Sequence, residues 1–262
     1  MNNDIGFDEI ESYWDNRPCN IRHSNSEIGS NEYFLEVSKR RYLVEPHIKK
    51  FVSPEFIKGQ TVLELGCGIG TDAAYFVESG ANYFGLELSN ESLKIAQQRF
   101  DKFKLIGHFS KTKIEDLDLT QLSWPKPTVV YSFGVLHHTL DPKSALKTVS
   151  DQVDKGTIFK VMLYAKNSLK SALINQGLDQ FEAQESCPVA FTYSQDECRD
   201  LFQNTGLKVQ SIEQDHIFSY NLDAYKKYEY KTEPWFAAMP KQYFDALKRE
   251  LGWHLLITAV KI

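Results

Sequence analysis

Thr61-Val62-Leu63-Glu64-Leu65-Gly66-Cys67-Gly68-Ile69-Gly70 decides the fold. A short apolar run of strand length enters three alternating glycines, and Thr71–Ser79 then reads as a helix stopped by Gly80. Outward from this unit, strand and helix alternate. Tyr83–Leu88 predicts a second strand and Glu91–Phe103 a helix capped by Ser89. Leu105–Phe109 predicts a weak third strand, Thr128–Phe133 a fourth, Ser144–Val153 a helix and Thr157–Leu163 a fifth strand. Such alternation predicts an α/β fold, a doubly wound parallel sheet covered on both faces. Residues 164–193 show no clear strand. A helix over Ser194–Thr205 with Ser194 as its cap, a strand-like Leu207–Phe218, an aromatic stretch over 219–253 and a final strand at His254–Ile262 follow. Upstream, residues 1–56 form a polar and aromatic leader. Its Trp14–His23 portion shows neither helical nor strand periodicity, and a helix follows over Asn31–Val44 before Pro46.

The 262 residues suit one large α/β domain, here 57–262 behind the 1–56 leader, with insertions at about 164–193 and 219–253. Net charge is −5 and the densest basic run is only Lys39-Arg40-Arg41, which disfavours a nucleic-acid partner. The first residues lack the basic start and apolar run of a secretory signal, and no apolar run reaches bilayer length. Four scattered cysteines, Cys19, Cys67, Cys187 and Cys198, predict reduced thiols in a cytoplasm and no zinc site.

Glycines at 66, 68 and 70 permit a tight turn and close approach of a ligand to backbone. Glu87 ends the second strand 21 residues after Gly66, where a carboxylate can accept both hydroxyls of a ribose. Two details separate the nucleoside cofactors. The third glycine of the dinucleotide fingerprint is absent, since Ile69-Gly70-Thr71 follows Gly68. Glu64 would repel a pyrophosphate, whereas it suits the ammonium and sulfonium of S-adenosylmethionine.

Glu64-Leu65-Gly66-Cys67-Gly68-Ile69-Gly70 resembles the first motif of the class I S-adenosylmethionine-dependent methyltransferases. The resemblance continues through Gly85-Leu86-Glu87-Leu88-Ser89 and through Val130-Tyr131-Ser132-Phe133-Gly134-Val135-Leu136-His137-His138. It is similar there to small-molecule methyltransferases of the ubiquinone and menaquinone type, and covers about residues 58–165. It implies a Rossmann-like seven-stranded sheet whose last strand, here His254–Ile262, is antiparallel. It also implies Leu88 over the adenine and Ile114 at the adenine edge. Lys113 departs from the acidic residue that the family often places before that position. Cys67 and Phe133 complete the expected cofactor contacts.

Methyl transfer from a sulfonium needs mainly alignment, which can supply about 7–11 kcal/mol, and a base where the acceptor is a hydroxyl or an ammonium. His137 and His138 lie past a carboxyl strand end and are the candidate bases, with His138 preferred. The competing roles are a helix cap or packing against a ribose. The leader concentrates Trp14, Arg17, Asn20, Arg22 and His23, which suits a lid. Arg22 is the candidate grip on the methionine carboxylate, Tyr42 a further hydroxyl contact, and Trp14 and His23 acceptor contacts. Tyr164, Gln184, Phe191 and Tyr193, with His216, Phe218, Tyr220, Tyr225, Tyr228, Tyr230 and Trp235, are candidates for acceptor walls, a cap core or a homodimer face. Of these, Tyr164, Tyr193 and His216 are the pocket choices.

The expected activity is methyl transfer to an oxygen or nitrogen of a small molecule. A nucleobase-amine enzyme would carry Asn/Asp-Pro-Pro-aromatic where Ser132-Phe133-Gly134-Val135 stands. Cytosine-C5 chemistry would need Pro-Cys, and Cys187-Pro188 runs in reverse. An arsenic methyltransferase would use several thiols. A protein that binds S-adenosylmethionine without transferring methyl groups is the alternative from a different class.

Overall fold

Strand β1 (Thr61–Leu65) lies mid-sheet, parallel to β2 (Asn82–Glu87) on one side and β4 (Val129–Phe133) on the other. The computed structural model describes residues 6–178 and 186–262. Its sheet runs β3 (His108–Lys111), β2, β1, β4, β5 (Ile158–Ala165), β8 (His254–Lys261), β7 (Leu207–Asp215). A two-residue strand β6 (Thr192–Tyr193) pairs with β5 off this path. Strand β8 runs antiparallel to both β5 and β7, and the other adjacent pairs are parallel. The antiparallel last strand therefore sits inside the sheet.

Side-chain alternation sorts each central strand between two cores. Leu63, Leu65, Val130 and Val161 enter one. Val62, Val129 and Tyr131 enter the other. Glu64 lies on the second face by the same alternation, buried to 4 % exposure. Helix α5 (Thr71–Glu78) follows the glycine loop, and α6 (Asn90–Phe103) starts at Ser89, whose hydroxyl accepts from the Ser92 amide at 3.0 Å. No helix among the described residues is long and apolar enough to cross a membrane.

Several boundaries differ from the sequence expectation, each for a local reason. The third strand starts at His108, because Lys104 turns left-handed and the Leu105 amide closes α6 on the Phe100 carbonyl. The helix expected at Ser144 starts at Pro142, as α7 (Pro142–Ser150), because Asp141 caps it. The fifth strand reaches Ala165, so the 164–193 stretch does contain strand, and Leu169–Asn175 forms α8. Ser194 caps α9 (Gln195–Phe202) in a reciprocal box with Glu197. β7 stops at Asp215 because His216 takes φ +66.

The leader is more regular than its sequence suggested. Phe7–Asn16 is helix α1, so Trp14 is helical, α2 spans Asn31–Val44 as expected, and the short α3 (Ile48–Phe51) and α4 (Pro54–Ile57) precede β1. Arg99 ties α2 to the loop, donating to the carbonyls of Phe34 and Ile69 and to the hydroxyls of Ser38 and Thr71.

Candidate functional site

A cavity of about 240 Å³ opens at the carboxyl ends of the central strands, between the loop after β1 and α1. Ligands of open parallel sheets bind at this edge. Gly68 lines it at φ +52, with open space where a Cβ would stand. Gly70 does not line it. At φ +73 its Cβ would meet the Ala96 Cβ at 3.0 Å, so Gly70 lets the start of α5 pack close against α6. Gly66, Cys67, Leu88, Ile114 and Phe133 all border the cavity. Burial pushes the Cys67 thiol well above its ordinary pKa, so it is neutral.

Glu87 organises the loop end. Its Oε2 accepts from the Gly68 amide at 2.8 Å, and its Oε1 accepts from the Leu88 and Ser89 amides at 2.8 and 2.9 Å. Burial raises its pKa against those three amides. Of about four carboxylate lone pairs, three are used, so Oε2 keeps one for a ribose hydroxyl. Glu64 accepts from the Tyr83 hydroxyl at 2.5 Å, and burial, then the charge of Asp72, raise its pKa well above the ordinary range. Two buried carboxylates and an open glycine backbone thus face one end of the cavity. That set fits a ribose and a cationic amino-acid sulfonium, and it would repel a pyrophosphate.

Arg41 borders the same cavity, close enough to Glu64 for their charges to act on each other. Its guanidinium contacts Asp72 Oδ2 at 2.9 Å and pairs with Glu45. Burial disfavours its charge, but Asp72 and Glu45 outweigh burial and hold it cationic. Asp72 also accepts from the hydroxyls of Tyr42 and Tyr131 at 3.0 Å each. For Asp72, burial is again outweighed by Arg41, and its pKa falls. Tyr42 stands behind Asp72 and not in the cavity wall, so the hydroxyl contact expected from it goes to Asp72 and to the Thr71 carbonyl.

Arg22 is also displaced from its expected place. It donates to the Tyr228 hydroxyl at 2.6 Å and does not border the cavity, whereas Arg17 and Arg41 do. Trp14 and His23 border it, and Trp14 meets His138 edge-on at 5.0 Å.

The two adjacent histidines part company. His138 borders the cavity, and its Nδ1 donates to the Val189 carbonyl at 2.6 Å, which leaves Nε2 as the acceptor. Burial lowers its pKa to about 4, so it is neutral and only weakly basic. His137 is fully buried behind it, its ring packed at a 40° tilt on Tyr164 with centroids 3.8 Å apart, and lies outside the cavity wall. His137 thus stands away from the cavity, whereas His138 reaches it. Tyr164 and His216 border the cavity, whereas Tyr193 pairs with Ala165 in β6 and packs on the core. Phe191 is exposed, and Gln184 lies outside the described residues.

Glu45, Arg41, Asp72, Lys170 and His254 were not foreseen, yet all border the cavity. A signal existed for Arg41. Tyr33, Val37 and Arg41 recur at helical spacing on the buried face of α2, and a cation in line with an apolar stripe is a buried cation. Nothing local marks His254 or Lys170.

The methyltransferase domain family matches residues 37–212. The chain belongs to that family. The enzyme class and the S-adenosylmethionine cofactor expected from Thr61–Gly70 therefore stand. Among curated relatives, the ubiquinone biosynthesis O-methyltransferase of Haemophilus ducreyi is 34% identical over 92 residues, 34% of this chain and 39% of that protein. That of Bordetella avium is 27% identical over 100 residues, 38% and 41%. The chain thus matches about two-fifths of these relatives' length. Among solved structures, geranyl diphosphate C-methyltransferase from Streptomyces coelicolor aligns with TM-score 0.61 at 15% identity over 98% of both chains. Magnesium protoporphyrin IX methyltransferase from Synechocystis aligns with TM-score 0.60 at 13% identity, over 97% of this chain and 98% of that one. At those identities the likeness is one of fold.

Proposed function

We propose that this chain transfers the methyl group of S-adenosylmethionine to an oxygen or nitrogen of a small organic acceptor. The observation that carries the reading is one cavity lined by two unlike sets of residues. Glu64, Gly68 and Glu87 suit the cofactor, and Tyr164, His216, Phe218, Tyr225 and His254 offer aromatic and imidazole walls beyond it. When bound, the cofactor supplies an electrophilic methyl on a good leaving group. The protein's share is to hold the ribose through Glu87, to set Glu64 near the cationic amino-acid end, and to align the acceptor. Phe7, Ile10, Tyr13 and Trp14 of α1 border the cavity, which supports a water-excluding role for the leader. His138 Nε2 is the proton acceptor in the wall, and its low pKa suits an acceptor that needs little help in losing a proton. Free thiols at all four cysteines support a cytoplasmic setting.

Calorimetry with S-adenosylmethionine and S-adenosylhomocysteine tests the cofactor assignment, and absence of heat with both would end it. Label transfer from methyl-labelled cofactor into fractionated metabolite extracts tests the chemistry. Binding without transfer in any fraction would make the chain a cofactor-binding protein. Label in nucleic acid would overturn the small-molecule assignment.

A further inference from the structure

Three side chains from distant segments converge at the acceptor end of the cavity. Glu45 caps the C-terminal end of α2, His216 follows β7, and His254 opens β8. One ligand atom from each lies within 4.8 Å of the others. We propose that Glu45, His216 and His254 form a binding site for a divalent first-row transition metal of the zinc type.

The donor set comes first. Two imidazoles and one carboxylate with room for exogenous ligands suit Zn²⁺, Co²⁺ or Fe²⁺, whereas Mg²⁺ and Ca²⁺ prefer all-oxygen shells. Metal–ligand distances of about 2.0–2.2 Å bring such atoms closer than they stand here, so binding draws the three together.

The supporting shell comes second. His47 Nε2 lies 2.9 Å from His254 Nδ1, which leaves His254 Nε2 directed toward Glu45 Oε1 at 3.5 Å. A ligating histidine commonly has its other nitrogen fixed in this way. His216 is held in the left-handed region at φ +66, a conformation that non-glycine residues rarely adopt. Asp215 Oδ1 accepts from the His216 amide at 2.6 Å, Lys248 holds Asp215 at 2.8 Å, and the His216 carbonyl accepts from the Trp253 amide at 2.9 Å. The backbone is thus strained at the one residue that presents this ring.

Charge comes third. Arg41 and Lys170 face the cluster, and both oppose a cation. Arg41 is balanced by Asp72 at 2.9 Å, so Glu45 is the carboxylate that can turn from it to a metal. An open coordination position facing the cavity would take the acceptor's hydroxyl and lower its pKa, the help that a weakly basic His138 does not give. This role rests on the methyl-transfer reading; the metal binding does not.

The test is spectroscopic and needs no acceptor. The purified full chain is titrated with Co²⁺, followed by visible ligand-field absorption, and Zn²⁺ competition gives affinities; S-adenosylhomocysteine calorimetry runs in parallel. One Co²⁺ per chain with an intense low-coordinate spectrum is expected. His254→Gln and His216→Asn should each weaken Zn²⁺ by about 100-fold or more, and His47→Phe by about 10–100-fold, the usual cost of a lost supporting partner. Absence of a Co²⁺ spectrum, or unchanged affinity in both His254→Gln and His216→Asn, overturns the site. If His254→Gln unfolds, the half-buried His216 variant decides alone. Normal S-adenosylhomocysteine binding without metal binding would sink this inference and leave the methyltransferase reading standing; the converse would do the reverse.

Discussion

At the loop end of the cavity, the polar contacts come from one contiguous unit. Glu64, Gly68, Glu87 and the Leu88 and Ser89 amides all lie within Thr61–Ser89. In the rest of the wall, Glu45, Lys170, His216 and His254 come from four separate segments, and Arg41 of α2 ties them to the loop unit by pairing with its Asp72. The loop end is therefore assembled by local folding with short loop closures, whereas the rest of the wall exists only once the leader, β7 and β8 have docked. Damage to the first should read out in cofactor affinity, and damage to the second in global stability.

The largest expected effect tests the docking of the leader on the loop unit. Arg41→Ala leaves Asp72 and Glu45 buried without their cation and should cost about 3–5 kcal/mol in urea unfolding. A loss under about 1 kcal/mol would show that water reaches the pair, and that the leader is not tightly docked. Next, Glu87→Ala removes the acceptor of three amides together with the ribose contact. Cofactor binding should weaken by about 100-fold, or about 2.7 kcal/mol, by calorimetry. A change under about threefold would detach the cofactor from β2.

Gly70→Ala sharpens the contrast within the loop itself. A left-handed alanine costs about 1–2 kcal/mol, and its Cβ would crowd Ala96. Stability should fall by that amount, with cofactor affinity changed less than about threefold. A larger loss of affinity would return Gly70 to the ligand contacts. Glu64 supplies the pH dependence. Its pKa is raised in the empty cavity, and an ammonium beside it favours the carboxylate, so binding releases a proton. Affinity should climb as pH rises from the ordinary carboxylate range toward that raised value. Calorimetry in buffers of different ionisation heat reads the proton count, and zero release would break the assignment. The smallest effect belongs to Arg22→Ala, whose guanidinium sits on Tyr228. Stability should shift by no more than about 0.5 kcal/mol, with unchanged affinity; a tenfold loss of affinity would restore it as the carboxylate grip.

The sequence by itself determined what depends on neighbours in the chain. The glycine turn, Glu87 at the end of β2 and the Ser89 and Ser194 caps are all set by spacings of a few residues, so they were legible before folding. The face of Glu64 follows equally from strand alternation. Side-chain destination across packed elements did not follow. His137 and His138 are adjacent and chemically identical, yet packing against Tyr164 and Val189 buries one and gives the other to the cavity. Arg22 and Arg17 differ in the same way, and Tyr193 turns to the core because β6 pairs with β5. Only the tertiary structure brought Glu45, His216 and His254 together, because contacts between distant segments leave no periodicity in the chain and form only when sheet and leader close around one space.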